Sequence, residues 1–129
     1  MNIWFASGEN AELSNLAHRP FTINGRSYLS VEHAYQTLKG GVFDDVTFRR
    51  YTRAGVKIVG RNRPKTENGW NIELMRKLIL ISFGQNPEAQ KALLATGDAV
   101  LTHKQDRGVW RDAFPRLLML AREELRNRT

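Results

Sequence analysis

Residues 21–29 impose the tightest local constraint on this chain: Phe21-Thr22-Ile23 and Arg26-Ser27-Tyr28-Leu29 flank the pair Asn24-Gly25. Both turn residues tolerate positive φ, which a two-residue hairpin needs if its turn is to match the twist of the strands. Ser30 follows at once and suits a helix N-cap. A hairpin is therefore expected to feed directly into a helix that runs to about Leu38 and closes at Gly40-Gly41.

The remaining elements fall on either side of that unit. Residues 3–6 form a short strand candidate. A second helix is expected over residues 44–53, where Asp44 and Asp45 suit the positive end of the helix, with a short helix or turn around 56–59. The longest apolar pattern begins near Trp70. Leu74, Leu78 and Ile81 follow one helical stripe, Met75 and Ile79 lie beside it, and Gly84 ends the segment. Pro87 opens a helix over 88–95 that Gly97 stops, residues 99–102 read as a strand, and the last helix is expected over 115–126. Leu117, Leu118, Ala121 and Leu125 form its inward face. Strands come early and helices dominate later, so the class is α+β. The 129 residues contain no repeat, low-complexity tract or linker, and a single domain over 1–129 is expected.

Hydrophobic residues make up 41% and charged residues 26%, which excludes collagen-like, mucin-like and wholly disordered chains. Cysteine is absent, and with it disulfides, thiolate zinc sites and a cysteine nucleophile. The opening MNIWFASGEN lacks the basic run and apolar stretch of a signal peptide, and no segment reaches the roughly 18 apolar residues of a membrane span. A cytoplasmic protein with no membrane partner is the expectation. His18, His33 and His103 are scattered without ligand spacing, so neither a metal nor another cofactor is expected.

The net charge is +7, from 20 basic and 13 acidic residues. Arg49, Arg50, Arg53, Lys57, Arg61, Arg63 and Lys65 fall within residues 46–66 without one acid among them, and the rest of the chain balances. A field concentrated in this way attracts phosphates, whether of a nucleic-acid backbone or of a pyrophosphate. The plainer alternative is a solvated basic face.

In the helix after the hairpin, Glu32, Gln36 and Lys39 are spaced i, i+4 and i+7 and share one face. Val31, Ala34 and Leu38 form its apolar stripe, with His33 and Tyr35 pointing elsewhere. A carboxylate, an amide and an amine aligned like this can line a polar cleft, although the spacing alone favours an ordinary solvated helix.

The run N-G-R-S-Y-L-S-V-E-H-A-Y-Q-T-L-K over residues 24–39 resembles the signature of the NADAR (YbiA-like) family, in which a hairpin precedes an S-x-E-H-x-x-Q-x-x-K helix. Other pieces match in order: Leu13-Ser14-Asn15-Leu16 with Phe21 after it, Gly60-Arg61, Trp70 and the helix containing Met75. The L-L-x-T-G-x-x-x-L block falls at 93–101, and Leu117-Leu118-Met119 with Arg122 and Leu125 resembles the family's final helix. Two departures stand out. Thr102-His103 replaces a common Val-Glu, and Trp110-Arg111-Asp112-Ala113-Phe114-Pro115 replaces a longer glycine-rich loop, so one wall of the pocket should differ.

The resemblance implies an N-glycosidase that breaks the bond between a ribose-type sugar and an amine. Some relatives resemble enzymes that remove ADP-ribose from the exocyclic amine of guanine in nucleic acid, and others act on phosphorylated ribosyl-amine intermediates of riboflavin synthesis. Glu32 is the implied carboxylate beside the developing oxocarbenium centre. Lys39, if desolvated, can attack the opened sugar as a Schiff-base nucleophile or protonate the leaving nitrogen; the resemblance leaves both open. Asp106, in the loop that completes the family's site, is the second carboxylate candidate, and also reads as a turn aspartate before Gly108.

For substrate binding the candidates are Asn15, His33 and Gln36, then Arg61 and Lys65 for phosphate, and Trp70 and Trp110 for stacking on a base. The expected partner is ADP-ribosylated nucleic acid. A small ribosyl-amine phosphate is the first alternative, and a non-catalytic module that binds ADP-ribose or nucleic acid is the second. A toxin or transferase partner is left open.

Overall fold

The computed structural model describes residues 1–4, 8–39, 70–106 and 108–128. The hairpin forms where expected, with β1 (Phe21–Ile23) antiparallel to β2 (Arg26–Tyr28) in the register Phe21↔Tyr28, Thr22↔Ser27 and Ile23↔Arg26. Asn24 (φ 52°) and Gly25 (φ 81°) both take the left-handed backbone that this turn requires. The outer edge of β1 is occupied by a side chain: Gln85 accepts from the Thr22 N–H at 2.8 Å and donates to the Thr22 carbonyl at 2.9 Å, as another strand would.

The helix after the hairpin, α1 (Val31–Lys39), is capped by Ser30, whose Oγ accepts the His33 N–H at 3.1 Å. Its expected one-sided stripe is not what forms. Every side chain from Val31 to Thr37 is buried, polar ones included. The reason is that α1 lies against both β2 and the central helix α2 (Trp70–Gln85).

Helix α2 also carries α3 (Pro87–Leu94) and α4 (Trp110–Arg128). Its buried face is Met75, Leu78, Ile79, Ser82 and Phe83, with Leu74 and Ile81 only half-buried, so the stripe is rotated from the expected one. Helix α4 starts five residues ahead of Pro115, which sits inside it. Burial of Phe114 and Pro115 in the core offsets the hydrogen bond that proline cannot donate. Leu117, Leu118, Ala121 and Leu125 face inward as expected. Of the strand expected at 3–6 only residues 3 and 4 are described, and neither lies in a strand; the strand expected at 99–102 reduces to one isolated parallel bridge, Asn2↔Thr102.

One hydrophobic core runs from Ile3 through Tyr35, Ile79 and Phe83 to Leu118 and Leu125. Arg19 is buried beside it, with no carboxylate partner among the described residues. Its Nε donates to Ser82 Oγ at 2.7 Å, its Nη1 to the carbonyls of Glu12 and Ser14, and its guanidinium carbon lies 4.0 Å from the centroid of the Phe83 ring. Burial pulls this guanidinium below its ordinary pKa. The architecture is α+β. Among the described residues, no helix is long and apolar enough to cross a membrane.

Candidate active site

The first turn of α1 is positioned from two directions. The N–H of Glu32 donates to the Asn15 carbonyl at 2.9 Å, tying the helix to the turn after the 3-10 segment Ala11–Leu13. His33 faces the hairpin: its Nδ1 accepts the Leu29 N–H at 3.0 Å, and its ring meets Tyr28 edge-on at 5.4 Å. In the neutral ring the proton therefore sits on Nε2. His33 thus couples strand β2 to the helix that carries Glu32.

Glu32 is 8% exposed, and its carboxylate accepts a short hydrogen bond, 2.6 Å, from Gln36 Nε2 one turn later. Burial of a carboxylate is costly unless its oxygens are hydrogen-bonded, and this i, i+4 amide supplies such a bond. Two further acceptors nearby, Gln36 Oε1 and Asn15 Oδ1, are buried and have no hydrogen-bond partner among the described residues. The Asn15 amide nitrogen donates to the Met75 sulfur at 3.2 Å. Leaving such groups unsatisfied costs about 1–3 kcal/mol each, so this cluster is not built for stability.

Tyr35 closes the cluster on another side. Burial first, and then the negative charge of Glu32, push its hydroxyl up to about 12, so it is protonated at neutral pH. Its ring packs edge-on against Trp110 at 5.5 Å, which brings the first residue of α4 to the carboxylate's neighbourhood. Glu32, Gln36, Asn15 and, through Tyr35, Trp110 are thus gathered from three separate parts of the chain. A carboxylate held among buried acceptors and aromatic edges can stabilise a developing cation and take a proton from water. Among the described residues, no group of three His, Cys, Asp or Glu side chains could hold a metal ion.

The chain is similar to the N-glycosidase YbiA of Shigella flexneri serotype 5b (strain 8401), at 30% identity over 143 residues covering 97% of this chain and 88% of that protein. The N-glycosidase YbiA of Escherichia coli (strain K12) is 29% identical over the same shares. The NMR structure of E. coli YbiA matches with a TM-score of 0.79 at 27% identity, covering 99% of this chain and 85% of that one. The chain belongs to the YbiA-like N-glycosidase family. No family model matches it. A riboflavin biosynthesis protein of Vibrio vulnificus (strain YJ016) is 30% identical over 131 residues, spanning 88% of this chain and 35% of that longer protein.

In this YbiA-like chain the other expected residues are distributed less tightly. Lys39 is the last residue of α1 and Trp70 the first of α2; the side chains of both lie outside the described residues, as do Arg61 and Lys65 altogether. Asp106 faces His103, with Oδ2 3.8 Å from Nε2, while His103 Nδ1 lies 2.7 Å from the Ile3 carbonyl. Sequence reasoning missed Tyr35 and Met75. The i, i+3 spacing of Glu32 and Tyr35 was the available signal for the first; nothing local tied Met75 to Asn15, sixty residues away.

Proposed function

We propose that this protein hydrolyses an N-glycosidic bond, releasing ADP-ribose from guanine bases of nucleic acid. The observation that carries this reading is the buried Glu32 carboxylate, oriented by Gln36 at 2.6 Å beside two unsatisfied acceptors. As the bond between the anomeric carbon and nitrogen lengthens, its electron pair leaves with the amine and positive charge develops on the sugar. Glu32 stabilises that charge and accepts a proton from the attacking water as the new carbon–oxygen bond forms; that proton then passes to the departing amine, which restores the carboxylate. Asn15 Oδ1 and Gln36 Oε1 are suited to the hydroxyls of the ribose, whose donors they lack. The basic run of residues 46–66 favours a substrate that carries many phosphates.

A second reading has its own support. The riboflavin biosynthesis name of the Vibrio relative favours a phosphorylated ribosylamino-pyrimidine, which presents the same kind of bond. Incubation with an oligonucleotide bearing ADP-ribosylated guanine, and separately with the ribosylamino-pyrimidine phosphate, tests both. Free ADP-ribose from the first alone supports the nucleic-acid assignment. Turnover of the second alone overturns it, and turnover of neither removes the hydrolase reading.

A further inference from the structure

A hollow of about 400 Å³ lies between the loop after Leu101 and the first half of α4, apart from the Glu32 cluster. Lys104, Arg111 and Arg116 line it against a single carboxylate, Asp112, over an apolar floor that includes Leu101 and Pro115. All three cations are exposed, and among the described residues none of their side chains makes a hydrogen bond or an ion pair. The second half of the same helix is different. Arg122 donates to Thr96 Oγ1 and the Ala99 carbonyl, Arg126 to Asp98, Glu123 and the Gly97 carbonyl, and Arg128 to Glu124. Arg111 moreover stands in the first turn of α4, where the helix dipole favours an anion and opposes a cation. Stability gives no reason for these three charges to collect there.

We propose that this hollow is a phosphate-binding groove for the strand that flanks the reacting nucleotide, an inference that rests on the nucleic-acid reading above. Arg111 and Arg116 are separated by roughly 7.5 Å of helix axis, a spread that serves successive phosphates of a strand better than one monoester. Unpaired guanidinium and ammonium groups are the side chains that displace counterions from such a backbone. The helix that lines the groove also reaches toward the site: Trp110, the residue before Arg111, packs its ring on Tyr35.

The test uses an unmodified single-stranded oligonucleotide as probe, with anisotropy followed across salt concentrations. The variant Lys104→Ala/Arg111→Ala/Arg116→Ala should bind about 10–100-fold more weakly at low salt, with a log–log salt slope shallower by about two. A control, Lys77→Ala/Lys91→Ala/Arg128→Ala, removes the same charge elsewhere and should keep most of the affinity; thermal melts verify that both triples fold. Equal losses in the two triples, no loss in the first, or no binding by the wild type each overturn the groove. Groove-dependent binding without ADP-ribose release from the modified oligonucleotide overturns the substrate assignment instead and leaves the groove standing. Release that is indifferent to the first triple overturns the groove alone.

Discussion

Helices α1 and α4 both pack on α2, yet they place their polar residues by opposite rules. In α4 the core face is Phe114, Leu117, Leu118, Ala121 and Leu125, while Glu123, Glu124 and Arg128 stay in water and pair with neighbours on the same helix. Exposed pairs of this kind are worth little, and the helix is held by its apolar face. In α1 the polar Glu32, His33, Gln36 and Thr37 are buried along with Val31 and Ala34. His33 and Thr37 are used locally, the first on the hairpin and the second on the His33 carbonyl at 2.8 Å. Gln36 donates to Glu32 one turn away, and its own Oε1 is left unsatisfied among the described residues. Polarity retained at a cost to folding is the ground on which the proposed chemistry is assigned to α1.

The largest expected effect breaks that comparison on the α1 side. Glu32→Gln keeps the shape and removes the charge, so turnover of the cleaved substrate should fall by about a thousandfold, equivalent to about 4 kcal/mol of barrier. Its thermal midpoint should hold or rise, because a buried charge is gone. Unchanged turnover would remove Glu32 from its role.

On α4 the corresponding cut is Leu118→Ala, at a side chain with no exposure. It should cost about 2–5 kcal/mol in denaturant unfolding, the usual range for a leucine cavity. Turnover per folded molecule should stay near wild type, and a collapse of turnover at full folding would mean that α4 does more than support. A smaller loss, about 1 kcal/mol, is expected for Ser30→Ala, which removes the cap that starts α1.

How far the sequence could be read follows the same division. The hairpin and its cap were legible because Asn24-Gly25 and Ser30 act through backbone geometry within a few residues. That Glu32 and Gln36 share a face followed from helical spacing alone; their hydrogen bond is a finding of the structure. The burial of α1 was not legible, since an apolar stripe reports only one buried face, and two elements cover this helix. Helix α4 was expected to begin at Pro115 because proline reads as a start signal; the contacts that extend it, Phe114 in the core and Trp110 on Tyr35, come from tertiary packing. Lys104, Arg111 and Arg116 were hidden by charge counting, which cancels each base against an acid wherever that acid lies. Here the acids Glu123 and Glu124 pair with other arginines. Of the candidate site, Arg61 and Lys65 lie outside the described residues.

The smallest effect at neutral pH sharpens the comparison through Tyr35, a side chain of α1 in contact with the first residue of α4. Its hydroxyl is raised from 10.0 to about 12 by burial and then by the charge of Glu32. The folded protein therefore holds this proton after the unfolded chain has released its own. The sign follows: any stability linked to this group is whole below pH 10 and drains as the pH rises toward 12. In an ultraviolet phenolate titration of the folded protein, Tyr35→Phe should delete a step near pH 12 and leave the lower-pH steps in place. In Glu32→Gln the same step should move toward the ordinary tyrosine value without reaching it, because burial, the larger cause, remains. If the step stays at its wild-type pH in Glu32→Gln, the hydroxyl does not sense that carboxylate, and Trp110 loses its link to the centre of the site.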